Sequence, residues 1–328
     1  MELLLSIITP CYNSFKLMKK SIDLFVEWND DRLEWVIVDD QSKDDSYIKL
    51  LEFKENYNNL NISVFQNKKN IGPGGSRNFG IKASRGKYVT FLDSDDFFEK
   101  DFPQVILPRL DGIHECIIFD AFLYYKEGKR IYWPLFRNVQ EGIVKTENAI
   151  VYLNGSTWGK IFLKEKISDN GVIFLHQQLC EDIPFTKVAI SYCENIIYVK
   201  IGLYNYLQQE NSLVHKLPGN FISTQNAFYY IEQRIKDRFP YELEAIFIQL
   251  YLYSLALYIY GNVSKPEYDQ RIKEAEQFYP NYYNNSYLNT LTLQVRVVTF
   301  FIKHKIYVGI GLVKILKHIR MKILYRTR

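Results

Sequence analysis

Three carboxylates fall within four positions at Asp93-Ser94-Asp95-Asp96, directly after the apolar, β-branched run Tyr88–Leu92. Such a run reads as a short buried strand. Clustered carboxylates repel one another, so a strand ending this way calls for a positive partner, and a hard divalent cation prefers oxygen ligands of this kind. A solvated acidic turn is the alternative. A second apolar strand, Trp35-Val-Ile-Val, ends in another acidic pair, Asp39-Asp40. Between them lies the glycine-rich turn Asn70-Ile-Gly72-Pro-Gly74-Gly75-Ser76-Arg77-Asn78, from which a helix continues to about Ser84. The open N–H groups and positive dipole end of such a helix favour an anion such as phosphate. Arg77 adds a forked, permanent positive charge. A tight turn into a helix would need the same glycines.

The elements that must position these groups alternate. Strands are expected at 3–9, 35–40, 62–65 and 88–92, and helices at 14–28, from 44–46 to about 57, and from 76 to 84. That alternation argues an α/β fold with a parallel sheet and right-handed crossovers. The C-terminal strand ends then share one edge, where open α/β sheets bind ligands.

Taken together, Thr9-Pro-Cys-Tyr-Asn13, Val38-Asp-Asp-Gln-Ser42, Asn70-x-Gly72 with Arg77-Asn78, and Leu92-Asp-Ser-Asp-Asp96 resemble the family 2 glycosyltransferases of GT-A fold over about the first 100 residues. Gln41 departs from the pattern, standing where the family usually has glycine. The resemblance implies a Rossmann-like, mostly parallel sheet with flanking helices. It also implies a nucleotide-sugar donor, most simply UDP-linked, held by Thr9, Pro10, Tyr12, Asp39, Asn70, Arg77, Asp93 and Ser94. Tyr12 would lie on the base, Asp39 would accept a base N–H, and Asn70 and Arg77 would hold ribose and diphosphate. Asp95, with Asp93, would ligate Mn²⁺ or Mg²⁺, and His215, in a loop after the 196–207 strand, is a candidate to complete that shell.

Leu179-Cys-Glu181-Asp182-Ile-Pro resembles the family's Glu-Asp pair, whose Asp is the catalytic base. An inverting transfer needs a carboxylate to take the proton of the attacking hydroxyl. Glu181 would raise the pKa of Asp182 by like-charge repulsion. A helix N-terminus decorated with acids is compatible with the same residues. Trp158 is expected either as a sugar platform or in the core, and Lys160 as an acceptor-side or plain surface residue. No Gln-x-x-Arg-Trp occurs, which favours single-sugar addition over processive synthesis.

Composition bounds the rest. With 47% hydrophobic and 16% aromatic residues in 328, a large core is possible, and four scattered cysteines make no disulfide framework. The N-terminus reads as a first strand and not as a signal peptide. No Asp or Glu follows Glu276, and nine of the 41 Lys and Arg lie in 294–328, leaving 32 against all 37 acidic residues before it. At helical spacing the tail sets Arg296, Lys303, Lys314, Lys317 and His318 opposite Phe301, Val308, Leu312, Leu316, Ile319 and Ile323. This is the pattern of a basic amphipathic helix lying on an anionic membrane. Packing on the body with the basic face outward is the alternative. The expected organisation is thus 1–100 for the donor, 101–220 for the acceptor, a helical extension 221–290, and the basic helix 291–328. The expected protein is cytoplasmic and peripheral on the inner membrane face. It would add one sugar to a lipid-linked or polymeric glycan acceptor and would have no nucleic-acid partner. A nucleotidyltransferase or a non-catalytic sugar-binding protein are the other classes weighed; neither needs both acidic motifs.

Overall fold

In the computed structural model the described residues are 2–125, 128–136, 139–177, 179–208 and 221–326. The four expected segments resolve into two compact units, Met1–Ser212 and Leu213–Arg328. In the first, β1 (Leu5–Cys11), β2 (Leu33–Asp39), β3 (Ile62–Gln66) and β4 (Tyr88–Phe91) run parallel in the order β3-β2-β1-β4. All seven residues of β2 and all four of β4 are buried, and the one charge inside β2, Glu34, accepts from the Ser6 hydroxyl and the Arg85 guanidinium. The crossovers are α1 (Lys19–Trp28), α2 (Ser46–Asn56) and α3 (Gly72–Ala83), and α3 carries Pro in its first turn.

After β4 the sheet becomes mixed. The short β5 (Phe97–Phe98) is followed by β6 (Cys116–Tyr124), β7 (Arg130–Trp133), β8 (Gly142–Val144), β9 (Lys160–Leu163) and β10 (Ile196–Leu207). β9 lies antiparallel between β4 and β6, and β10 runs parallel to β6. The helix α4 (Phe102–Ile106) follows β5, α5 (Thr146–Tyr152) and α6 (Lys164–Ser168) flank β9, and α7 (Asp182–Ser191) leads into β10. This mixed sheet with flanking helices is a GT-A-like fold.

The second unit is helical. The helix Pro240–Ile259, which includes a π turn at Phe247–Leu252, is long and apolar enough to cross a membrane, but 67% of its apolar stretch is buried within the protein, as a core helix would be. In place of the single helix expected over 291–328 there are two, Leu293–Lys303 and Tyr307–Arg326, separated by Lys305 in a left-handed backbone at φ 55°. Their inner side buries Val295, Val298, Ile302, Ile310 and Val313. A Cβ on Gly311 would come within 2.2 Å of the Tyr260 hydroxyl, so any other residue here would have to push that ring aside. The Lys314 ammonium donates to the Tyr260 carbonyl at 2.7 Å, and Lys317 lies 5.6 Å from the Tyr253 ring centroid. The basic stripe is therefore not simply turned outward. Lysine stems lie along the neighbouring helix and one head group caps its last carbonyls, while Val308, Leu312, Ile315 and Leu316 are exposed.

Candidate active site

The site assembles around Arg77 on α3. Its guanidinium is 4% exposed and donates to Asp93 Oδ1 at 2.7 Å, Glu181 Oε1 at 3.1 Å and Asp182 Oδ1 at 3.1 Å. The acidic end of β4 and the acidic start of α7 are thus joined through one cation, though they lie about ninety residues apart in sequence. Burial works against the charge of Arg77, but the three carboxylates outweigh it and hold the group above its ordinary pKa. This corrects the expectation that Arg77 holds phosphate: its side chain is already committed to three acids. Such a network is stable only while all partners are present, since an unpaired buried charge costs several kcal/mol.

Asp182 opens α7 with its side chain 26% exposed. Burial, reinforced by Glu181 and Asp93 and opposed by Arg77 and Lys160, pushes its carboxyl up to about 7. A carboxylate so placed can take a proton near neutral pH. In the acidic motif, burial and Asp93 push Asp95 up to about 6. Asp96 is different. It is buried, its Oδ2 accepts from the Tyr204 hydroxyl at 2.7 Å and its Oδ1 from the Leu207 amide at 2.7 Å, so it ties the motif to β10. Tyr204 in turn accepts from the Asp93 amide at 3.2 Å.

The donor side shows which groups remain open. Asp39 is buried at the end of β2. Its Oδ2 accepts from the Ser42 amide at 3.1 Å and Gln66 at 3.0 Å, while its buried Oδ1 has no partner among the described residues. That unsatisfied acceptor fits a base N–H. Tyr12 is 42% exposed and offers a ring face. Pro10 and Ser94 are half-buried. Asn70 donates to the Asp40 carbonyl at 3.0 Å. Thr9 is a correction: its side chain is fully buried and its hydroxyl accepts from Trp35 Nε1 at 2.9 Å.

Asp40 is the residue that sequence reasoning missed. Its carboxylate accepts from the amides of Ile71 at 2.9 Å and Gly72 at 2.8 Å, and from Asn67 at 2.8 Å. The N-terminal end of α3, expected to take phosphate, is capped from within the protein. The signal was present, since an Asp paired with a glycine-rich helix start fits a helix dipole, but nothing in the sequence said which anion would occupy it. Gln41 also finds its explanation. It stands at φ 62°, where glycine is unstrained, and its side chain donates to the Asn67 carbonyl at 2.9 Å. Lys160 is a further correction: it is fully buried, donating to the Ser156 and Trp158 carbonyls at 2.6 and 3.1 Å, and burial pushes it down to about 7.

For a metal, no group of three or more His, Cys, Asp or Glu among the described residues is arranged to hold an ion, and His215 lies outside them. Asp95 still fits a hard cation, because a carboxyl raised by burial and by Asp93 is relieved by positive charge. Asp93, the other acid expected to bind the ion, has one oxygen bonded to Arg77.

Comparison with known proteins agrees with this geometry. Residues 6–167 match the model of glycosyl transferase family 2. Glycosyltransferase GlyA of Streptococcus pneumoniae is 26% identical over 64% of this chain and 31% of its own length. The poly(ribitol-phosphate) beta-N-acetylglucosaminyltransferase TarS of Staphylococcus aureus is 28% identical over 61% of this chain and 35% of its own. The chain spans about a third of the length of these curated relatives. A crystal structure of TarS 1-349 in complex with UDP-GlcNAc shares the fold with a TM-score of 0.68, at 20% identity, covering 95% of this chain and 90% of that one. The mannosyltransferase PcManGT from Pyrobaculum calidifontis, in complex with GDP-Man and Mn2+, gives 0.53 at 14% identity over 96% and 88%. The matched stretch carries the parallel strands and the acidic motif at Asp93–Asp96, and over residues 6–167 this chain belongs to the family 2 glycosyltransferases.

Proposed function

We propose that this chain transfers a single sugar from a UDP-sugar to a hydroxyl of a polymeric or lipid-linked glycan, with inversion, for a surface polysaccharide. The observation that carries the reading is the junction of the two acidic motifs on Arg77. It holds Asp182, the base, beside the motif at the end of β4. Asp182 accepts the proton of the acceptor hydroxyl as that oxygen attacks the anomeric carbon, and the nucleoside diphosphate departs on the opposite side. Arg77 and Glu181 fix the carboxylate in place. Asp39 Oδ1 accepts the N–H of a uracil-like base and Tyr12 covers its face, which favours UDP. Asp95 would hold Mn²⁺ or Mg²⁺, which when bound offsets charge on the departing diphosphate. The relatives named for UDP-GlcNAc complexes and poly(ribitol-phosphate) transfer support a UDP-sugar donor and, more broadly, a polymeric acceptor.

The same reading places the chain at the cytoplasmic face of an anionic membrane. Leu293, Phe300, Val308, Leu312, Ile315 and Leu316 are all exposed on the two terminal helices, in a stretch rich in Lys and Arg and free of acids. An apolar face beside cationic side chains suits an anionic lipid surface. The direct test is UDP release from UDP-glucose and UDP-N-acetylglucosamine with glycan acceptors, with and without Mn²⁺. Acceptor-dependent release supports the reading; absence of UDP binding and release removes it.

A further inference from the structure

Trp158 lies in the core, 6% exposed, but a second indole sits outward on top of it. Tyr204 on β10 and Trp133 on β7 are both in register with Ala121 on β6, one from each side. Ala121 adds little bulk between them. Trp158 stacks on Tyr204 at 4.8 Å and 8°, and meets Trp133 edge-on at 5.8 Å and 62°. Tyr206 stacks on Trp158 at 5.3 Å and lies 6.1 Å from Trp133. Trp158 and Tyr204 form the buried layer, and Trp133 and Tyr206 are half-buried above it. The Trp133 indole N–H donates to nothing among the described residues.

Both ends of this shelf connect to the chemistry. Tyr204 bonds Asp96 and the Asp93 amide. At the other end, the Trp158 carbonyl accepts from Lys160, and the Ser156 carbonyl accepts from Thr186 on α7, four residues beyond Asp182. A Cβ on Gly155 would fall 2.7 Å from Ile183, so this turn lies directly on the start of α7. A rigid aromatic face, backed by a second aromatic layer and edged by an unpaired N–H donor, offers apolar area and one oriented polar contact at little entropic cost. The flat C–H face of a pyranose with its rim of hydroxyls matches that surface. An open-chain polyol phosphate has no such face, and its charge would seek cations that the shelf does not carry among the described residues.

The geometry points to an acceptor subsite in which Trp133, with Tyr206 beside it, stacks on a pyranoside ring, so that the acceptor is a ring-form sugar and not a polyol phosphate chain. This rests on the transferase reading above. The experiment uses the full chain with UDP and Mn²⁺, and measures saturation-transfer NMR to methyl β-D-glucopyranoside, methyl β-D-galactopyranoside and methyl N-acetyl-β-D-glucosaminide. Calorimetry of UDP runs alongside. Wild type should saturate the ring C–H protons of at least one of these. Trp133→Ala should cut that signal by about fivefold or more and Trp133→Phe by less, as expected for lost aromatic area, with UDP affinity unchanged in all three. No saturation of any pyranoside, or equal signal in Trp133→Ala, overturns the subsite while UDP binding leaves the transferase reading standing. Acceleration of UDP release by poly(ribitol phosphate) and by none of the pyranosides overturns it as well. Loss of UDP binding by the wild type would remove both readings.

Discussion

The edge of the first unit and the end of the second handle the same two kinds of side chain in opposite ways. At the sheet edge, charge is taken out of water: Arg77 is 4% exposed and gathers Asp93, Glu181 and Asp182. On the terminal helices, apolar side chains are left in water, with Leu316 63% and Val308 69% exposed, while Lys314 is bonded to a carbonyl. Each arrangement costs free energy in isolation. Buried ions are expensive unless completely paired, and a contiguous exposed apolar surface is rare on a monomer without a partner. On the proposed function, the first cost serves chemistry and the second serves contact.

The largest effect is expected in the first region, from Arg77→Met. It leaves three carboxylates facing one another, and breaking such a network costs on the order of 3–5 kcal/mol. Thermal unfolding at pH 8 should show a large fall in Tm, partly recovered at pH 5, where protonation of the raised Asp182 carboxyl lessens the repulsion. An unchanged Tm would mean the network carries no stability. Asp95→Ala acts on the same edge without unfolding it. Stimulation of UDP release by Mn²⁺ should disappear, with activity lower by roughly 100-fold if the cation supplies several kcal/mol of charge stabilisation. A variant still stimulated by Mn²⁺ would assign the ion elsewhere.

The second region is tested by Leu312→Ser with Leu316→Ser. Removing two buried leucines from a lipid interface loses about 1.5–3 kcal/mol for each full burial. Co-sedimentation with phosphatidylglycerol vesicles should therefore fall by at least about tenfold, with UDP binding unchanged. High salt should weaken the wild type only in part, because the apolar share of the contact is not screened. If wild type ignores these vesicles at low salt, the exposed face serves another partner. The smallest expected effect is Gln41→Gly. Relief of a left-handed residue gains about 1 kcal/mol and loss of the bond to Asn67 gives up about the same. Chemical denaturation should place the variant within about 1 kcal/mol of wild type; a larger loss would show that the side-chain bond outweighs the backbone strain.

Much of the first region was legible because parallel strands bring their C-terminal ends to one edge whatever the loops do. Asp39 and the Asp93–Asp96 cluster stood out as acids at strand ends, while Asp182 was singled out by its resemblance to the family's Glu-Asp pair. What could not be read was pairing. The spacing of Arg77 from Glu181 and Asp182 carries no trace of their contact, and the assignment of Arg77 to phosphate failed for that reason. Asp40 and the α3 amides were both visible, but an internal carboxylate and an external phosphate satisfy the same electrostatics. Lys160 looked like a surface residue because lysine usually is one; only the closing of its turn around the ammonium makes burial tolerable. In the tail the apolar periodicity was legible and the break at Lys305 was not, since it lacks Pro or Gly. Gly311 was the available sign that this helix lies tightly on another.

The proposed chemistry depends above all on Asp182 being the base of a transfer reaction at this edge. Its sharpest test is the pH dependence of kcat/KM for acceptor in wild type and Asp182→Asn, with UDP affinity measured by calorimetry in both. A carboxyl raised to about 7 must lose its proton to act, so wild-type activity should rise with pH through about 7. Asp182→Asn should bind UDP as the wild type does, keep its fold, and lose transfer by about 1,000-fold or more at every pH. Turnover within about threefold of wild type, or an ascending limb that survives the substitution, would contradict this assignment and move the base to another residue.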